Sequence, residues 1–244
     1  MTNYIIEIAT TDFTTSKAAV EGGADRIELC AALVEGGTTP SYGTIRQCRE
    51  AFNTTLFPII RPRGGDFLYT EEEFQIMLKE VKLCKELGCD GVVIGMLLSN
   101  GAIDVKHTEA LVNAAYPLEV TFHRAFDRCA DPFEALEQLI DIGCQRILTS
   151  GQKPTVTEGL DTLVELVKAA DDRIIILPGS GVRKENIKLL AEKSGATEFH
   201  SSLRSSTKTK MTFIHPAFAT SEESYINPCI HPEEVKALRN ALYQ

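Results

Sequence analysis

Short apolar or alternating runs recur along this chain, each followed by a longer stretch with helical spacing. The runs fall at residues 4–9, 25–30, 56–61, 91–95, 118–122, 146–149, 173–177 and 197–200. Helical spacing follows at 16–22, 41–52, 70–87, 104–115, 132–142, 156–170, 184–193 and 232–242. Repeated strand–helix alternation implies a parallel sheet, and eight units close into a TIM (β/α)8 barrel of one domain, residues 1–244. An open doubly wound sheet is the rival. The first turn, Ala9-Thr10-Thr11-Asp12-Phe13, lacks the glycine-rich dinucleotide fingerprint of that fold.

A rhythm of period two overlies the alternation. Gly23-Ala24, Gly88-Cys89, Gly143-Cys144 and Gly195-Ala196 precede strands two, four, six and eight. Glycine just past a helix is the usual left-handed cap. Residues 201–231 break the short-loop pattern. A connection that long after strand eight is either a lid over the barrel mouth or an open excursion.

Strand parity separates the faces. If Ile6, Ile8, Ile27 and Leu29 face the helices, then Glu7, Ala9, Arg26, Glu28 and Cys30 face the barrel axis. Arg61, His123, Glu198 and His200 join them. Apolar filling is what a purely structural barrel needs, so charged groups converging on the carboxyl ends point to a ligand site. The lower charges, Arg26, Glu119, Arg146 and Glu198, are expected to pair, because unpaired buried ions are costly. At the mouth, Glu7 with Glu28, or His123 with Asp127, offers an acid–base pair. Glu7, Glu28, His123 and His200 alternatively offer donors to a divalent metal.

Arg61, Arg63 and Arg124 offer planar forks for a carboxylate or phosphate. Ser150, the turn Gly179-Ser180-Gly181 before a helix amino end, and His200-Ser201 complete a candidate anion site. Composition narrows the partners. With 34 acidic and 25 basic residues the chain carries a net charge of −9, which disfavours nucleic acid and anionic membranes and leaves a small anionic ligand. No window reaches the length of a spanning helix, and Met1-Thr2-Asn3-Tyr4 does not open a signal peptide, so a cytoplasmic location is expected. Seven cysteines without a Cys-x-x-Cys pair suggest reduced thiols rather than a disulfide framework.

Several blocks carry a family resemblance: Glu7, the run 23–30, Glu35-Gly36-Gly37-Thr38-Thr39-Pro40-Ser41, the run 60–67, the run 120–127, Leu148-Thr149-Ser150-Gly151 and Glu198-Phe199-His200-Ser201. Together they resemble the CutC family, named for copper homeostasis. The resemblance implies a cytosolic, homo-oligomeric TIM barrel that handles Cu(I) through a cysteine on each of the first two strands. This chain departs from that pattern. Strand one reads Glu7-Ile8-Ala9, so Cys30 alone remains of the pair, with Met96, His123 and Cys129 as possible helpers at the same edge. Three roles stand open: Cu(I) binding or handling, an enzyme acting on a small carboxylated or phosphorylated metabolite, and an interaction scaffold.

Overall fold

A computed structural model describes residues 3–218 and 225–243. Its parallel strands are β1 (Ile5–Thr10), β2 (Arg26–Leu29), β3 (Thr55–Pro58), β4 (Gly91–Ile94), β5 (Glu119–Phe122), β6 (Arg146–Thr149), β7 (Ile175–Pro178) and β8 (Glu198–Ser201). Between them run α1 (Phe13–Glu21), α2 (Tyr42–Ala51), α3 (Glu71–Glu86), α4 (Val105–Ala115), α5 (Pro132–Ile142), α6 (Leu160–Ala170) and α7 (Ile187–Ser194), with α8 (Pro232–Ala241) closing the chain. The strands hydrogen-bond in the orders β3-β2-β1-β8 and β4-β5-β6-β7. A parallel bridge between Ile59 and Val93 joins the two sets at one seam, and β7 lies beside β8 at the other. The result is the TIM barrel.

Local chemistry explains where the helices start and stop. Asp131 accepts hydrogen bonds from the backbone N–H groups of Phe133 and Glu134, Pro132 opens α5, and Gly143 ends it at φ 89°. Thr70 and Glu73 form a reciprocal capping box at the start of α3. The glycine rhythm has a backbone cause: Gly23, Gly88, Gly143 and Gly195 all take left-handed φ. β7 is approached instead through Asp171, at φ 47°.

Two helices start later than their apolar spacing predicts. α6 begins at Leu160 rather than 156, after a turn in which Gly159 N–H donates to the Thr155 carbonyl at 3.0 Å and Val156 N–H to the Ser180 carbonyl at 2.9 Å. α7 begins at Ile187 rather than 184, after a turn in which Asn186 accepts from Arg183 N–H. The stretch 201–231 is not structureless. It contains an antiparallel hairpin, β9 (Ser205–Lys208) with β10 (Ile226–Cys229), and a 3-10 turn at Pro216–Phe218. The part of the expected lid at 219–224 lies outside the described residues. No helix among the described residues is long and apolar enough to cross a membrane.

Most of the apolar core lies between the strands and the helices, with Ile6, Ile8, Ile27 and Phe122 fully buried there. A much smaller apolar cluster, Cys30, Phe57, Ile59 and Val93, fills part of the barrel axis. Charged side chains occupy much of the rest, as parity predicts.

Candidate active site at the barrel mouth

Register assembles the axis from below. β1 lies between β2 and β8, with Glu7 opposite Arg26 on one side and His200 on the other. All three share the inward face. Arg26 Nε donates to Glu7 at 2.5 Å and its Nη2 to Glu198 at 2.6 Å. Arg146 donates to the same Glu198 oxygen at 2.8 Å and also pairs with Glu119. The Phe57 ring lies 5.1 Å from the Arg26 guanidinium carbon, and it fits there because Gly91 has no Cβ to collide with it. The four lower charges are therefore paired.

Above this base stands a line of proton-bearing groups. Glu7 Oε1 meets His200 Nδ1 at 2.7 Å, and His200 Nε2 faces Glu28 Oε2 at 3.8 Å. Cys30 Sγ donates to that Glu28 oxygen at 3.4 Å. Burial would raise the Glu7 carboxyl, but Arg26 and His200 outweigh it and hold it at about 2. Burial opposes charge on His200, yet Glu28 and Glu7 raise its pKa. Glu28 is itself raised, first by burial, against His200, and further by Glu7. A proton is thus readily held between Glu28 and His200, above a carboxylate that stays ionised.

His123 behaves differently. Its Nδ1 accepts from Ala125 N–H at 3.1 Å, so in the neutral ring Nε2 carries the hydrogen. That Nε2 is buried without a hydrogen-bond partner among the described residues. Burial, reinforced by Arg61, pushes its pKa down to about 3. The imidazole packs 4.9 Å from the Phe67 ring, and a Cβ on Gly95 would overlap it. His123 is a neutral donor.

These groups border a cavity of about 480 Å³. Glu28, Arg61, His123 and His200 line it, as the inward parity anticipates, together with Arg124, Asp127, Ser180 and Gly181 from the loops. Glu7 lies beneath His200 rather than on the wall, which makes it a positioning residue. The His123–Asp127 pair is not formed. Asp127 instead accepts from Thr149 Oγ1, the backbone N–H groups of Ser150 and Gln152, and Arg124 Nε, so it organises the loop after β6.

Other candidates are also committed elsewhere. Arg63 pairs with Glu73 at 2.6 Å and Asp66 at 3.0 Å and does not line the cavity. Ser150 is buried against Asp127, and Ser201 donates to the Val182 carbonyl. Gly179 packs on Leu148 and His200. Because α7 starts six residues after Gly181, the glycine turn does not open directly onto a helix amino end. Arg61 spends its terminal nitrogens on the carbonyls of Glu35, Gly37 and Gly65, leaving a buried Nε without a partner among the described residues.

Four cations on the wall escaped the parity argument: Arg128, Lys153, Arg183 and Arg204. None has an ion pair among the described residues, and Arg128 rests only against Phe67 at 5.9 Å. They lie in the loops that follow β5, β6, β7 and β8, and parity ends where a strand ends. Scanning the first six residues after each strand would have found them as cations, alongside Arg124, whose pairing with Asp127 only the packing reveals.

Among the described residues, Glu7, Glu28 and His200 are the one group with donors close enough to share a metal ion. Two oxygens and one nitrogen suit a hard or borderline divalent ion rather than Cu(I), and Glu7 is already held by Arg26.

Comparison with known proteins adds the lineage. The model of the CutC family matches residues 4–205. A CutC family protein of Bacteroides fragilis is 52% identical over 218 residues, which cover 89% of this chain and 87% of that protein. A crystal structure of a Streptococcus agalactiae CutC protein, named for copper homeostasis, superposes with a TM-score of 0.77 at 33% identity, over 81% of this chain and 97% of that one. N-(5'-phosphoribosyl)anthranilate isomerase from Pyrococcus furiosus shares the fold alone, with a TM-score of 0.58 at 11% identity over 99% of each chain.

Proposed function

The chain belongs to the CutC family, and within it we propose an enzyme that binds a small carboxylated or phosphorylated metabolite at the barrel mouth and moves a proton on it. One observation carries this reading. A protein of net charge −9 keeps four cations without an ion pair among the described residues around a cavity that also holds a carboxylate–imidazole pair. Surplus positive charge there serves an anion.

Division of labour follows from the contacts. Arg128, Lys153, Arg183 and Arg204 hold the anionic group. Glu7, ionised, keeps a hydrogen on His200 Nδ1, which leaves Nε2 and Glu28 to exchange a proton with the ligand. His123 Nε2–H offers a hydrogen bond to a ligand oxygen without adding charge.

Titration calorimetry with inorganic phosphate tests the anion site. Saturable binding is expected, weakened about tenfold or more by Arg128→Ala, whose truncation strands no partner. Incubation of a metabolite extract with the protein in D2O tests the chemistry. Deuterium should enter one anionic metabolite, and Glu28→Gln should abolish that without weakening phosphate binding. No saturable phosphate binding up to millimolar concentration would refute the reading.

Cu(I) handling is the role the family name suggests, and the donors present fit it poorly. Cu(I) prefers thiolate or thioether ligands, usually several. Burial pushes the Cys30 thiol well up, and Glu28 pushes it further, which disfavours the thiolate that Cu(I) needs. Ala9 supplies no donor, while Met96 and Cys129 pack in the outer core layer, apart from the inner cluster of Cys30. Weak Cu(I) binding is therefore expected in competition with a Cu(I) chelator under reducing conditions, strengthened by Ala9→Cys. Tight stoichiometric binding by the wild type that survives Cys30→Ser would contradict this ligand assignment.

A further inference from the structure

A second cavity of about 690 Å³ opens beside the mouth, between the loops after β1 and β2 and the β9–β10 hairpin. Its walls are largely apolar, with Leu33, Val34, Ile226 and Ile230 prominent among them. The two cavities are not independent. Ala9, Leu33, Ser202 and Arg204 line both, and Arg204 bridges the junction by donating to the Leu33 carbonyl at 3.3 Å.

We propose that the anion held at the mouth carries an apolar substituent, a ring or short alkyl chain, and that this second cavity is its subsite. The inference rests on the mouth being an anion site. Volume supports it: a bare phosphate or carboxylate needs little of the space available, and the combined cavities suit a larger small molecule. So does the order of chemistry along the path. Cations without an ion pair among the described residues surround the first cavity, a guanidinium marks the boundary, and apolar side chains follow. A ligand charged throughout would set its far end against Val34, Ile226 and Ile230, where Ser and Thr side chains are present but no cation beyond Arg204 lines the wall, at a desolvation cost. An amphipathic anion satisfies both ends at once. Its headgroup meets the cations while its apolar part leaves water.

The experiment compares inorganic phosphate, methyl phosphate and phenyl phosphate by titration calorimetry on the full chain. Phenyl phosphate should bind about 10- to 100-fold more tightly than methyl phosphate, as burial of one ring implies. Ile226→Glu puts a carboxylate on the apolar wall from an exposed strand position, and it should collapse that ratio toward one. Val34→Glu, at a position 90% exposed, is the second variant should the first disturb the hairpin. Equal binding of the methyl and phenyl esters would overturn this inference and leave the anion site standing. Absence of binding by all three would instead refute the reading of the mouth. Sedimentation velocity on the same variants covers the remaining occupant. A dimer that Ile226→Glu dissociates, with the phenyl-to-methyl ratio unchanged, would assign the groove to a second copy of the chain and overturn the proposal.

Discussion

Replacing Arg26 with leucine should destabilise the protein by about 3–5 kcal/mol, the usual cost of removing one partner from a buried charge network. Arg26 is the hinge of that network. It bonds Glu7 at 2.5 Å and Glu198 at 2.6 Å, with 5% of its side chain exposed. Leucine would leave Glu7 with His200 alone and Glu198 dependent on Arg146. Urea unfolding of Arg26→Leu measures the loss. Adding Glu7→Gln to that variant should recover part of it, because one of the stranded carboxylates is then neutral. A loss below about 1 kcal/mol in the single variant would mean that the axis tolerates the unpaired acid, contrary to the geometry.

Acidification should remove the stability contributed by His123 well before ordinary carboxylates titrate. His123 has a folded pKa of about 3 against an ordinary 6.5. Below pH 6.5 the unfolded chain therefore binds a proton that the folded chain refuses. Stability is complete above 6.5 and falls as pH drops toward 3, by about 1.4 kcal/mol per unit. Glu7 adds to this lower down. Its folded pKa of about 2 lies below the ordinary 4.5, so its contribution is present above 4.5 and lost as pH falls toward 2. His200 and Glu28 act in the opposite sense, since their raised folded pKa values confer stability that is lost as pH rises. Denaturant unfolding between pH 7 and 5 isolates the His123 contribution when wild type is compared with His123→Gln. The variant should show a flatter slope by about one proton. Identical slopes would place the His123 ring in a solvated, readily charged setting and remove it as a neutral donor.

Several features of the candidate site were legible before any coordinates. The inward parity of Glu7, Glu28, His123 and His200 follows from the two-residue period of a strand, which any alternating run reveals. Arg63, Ser150 and Asp127 are held by neighbours that local spacing does not reveal. Each has a side chain of suitable chemistry near a strand end, but its partners come from other loops. Thr149 and Gln152 claim Asp127 from more than twenty residues away. Arg63 is drawn to Glu73 on α3. Which of several similar groups stays unpaired is a question of competition in three dimensions.

By itself, the sequence determined the barrel, its element order and the inward charge on its axis. Hydrophobic period, helix caps and strand alternation act between near neighbours and are written locally. Tertiary structure decided which charges cancel and which remain. Arg26 reaches Glu198 across 172 positions, and His200 reaches Glu7 across 193, because barrel closure brings β8 beside β1. Four cations were left without an ion pair among the described residues around the mouth, and an apolar cavity was opened beside it, by the packing of loops after different strands. Such contacts depend on where distant segments meet, and no local pattern along the chain records that.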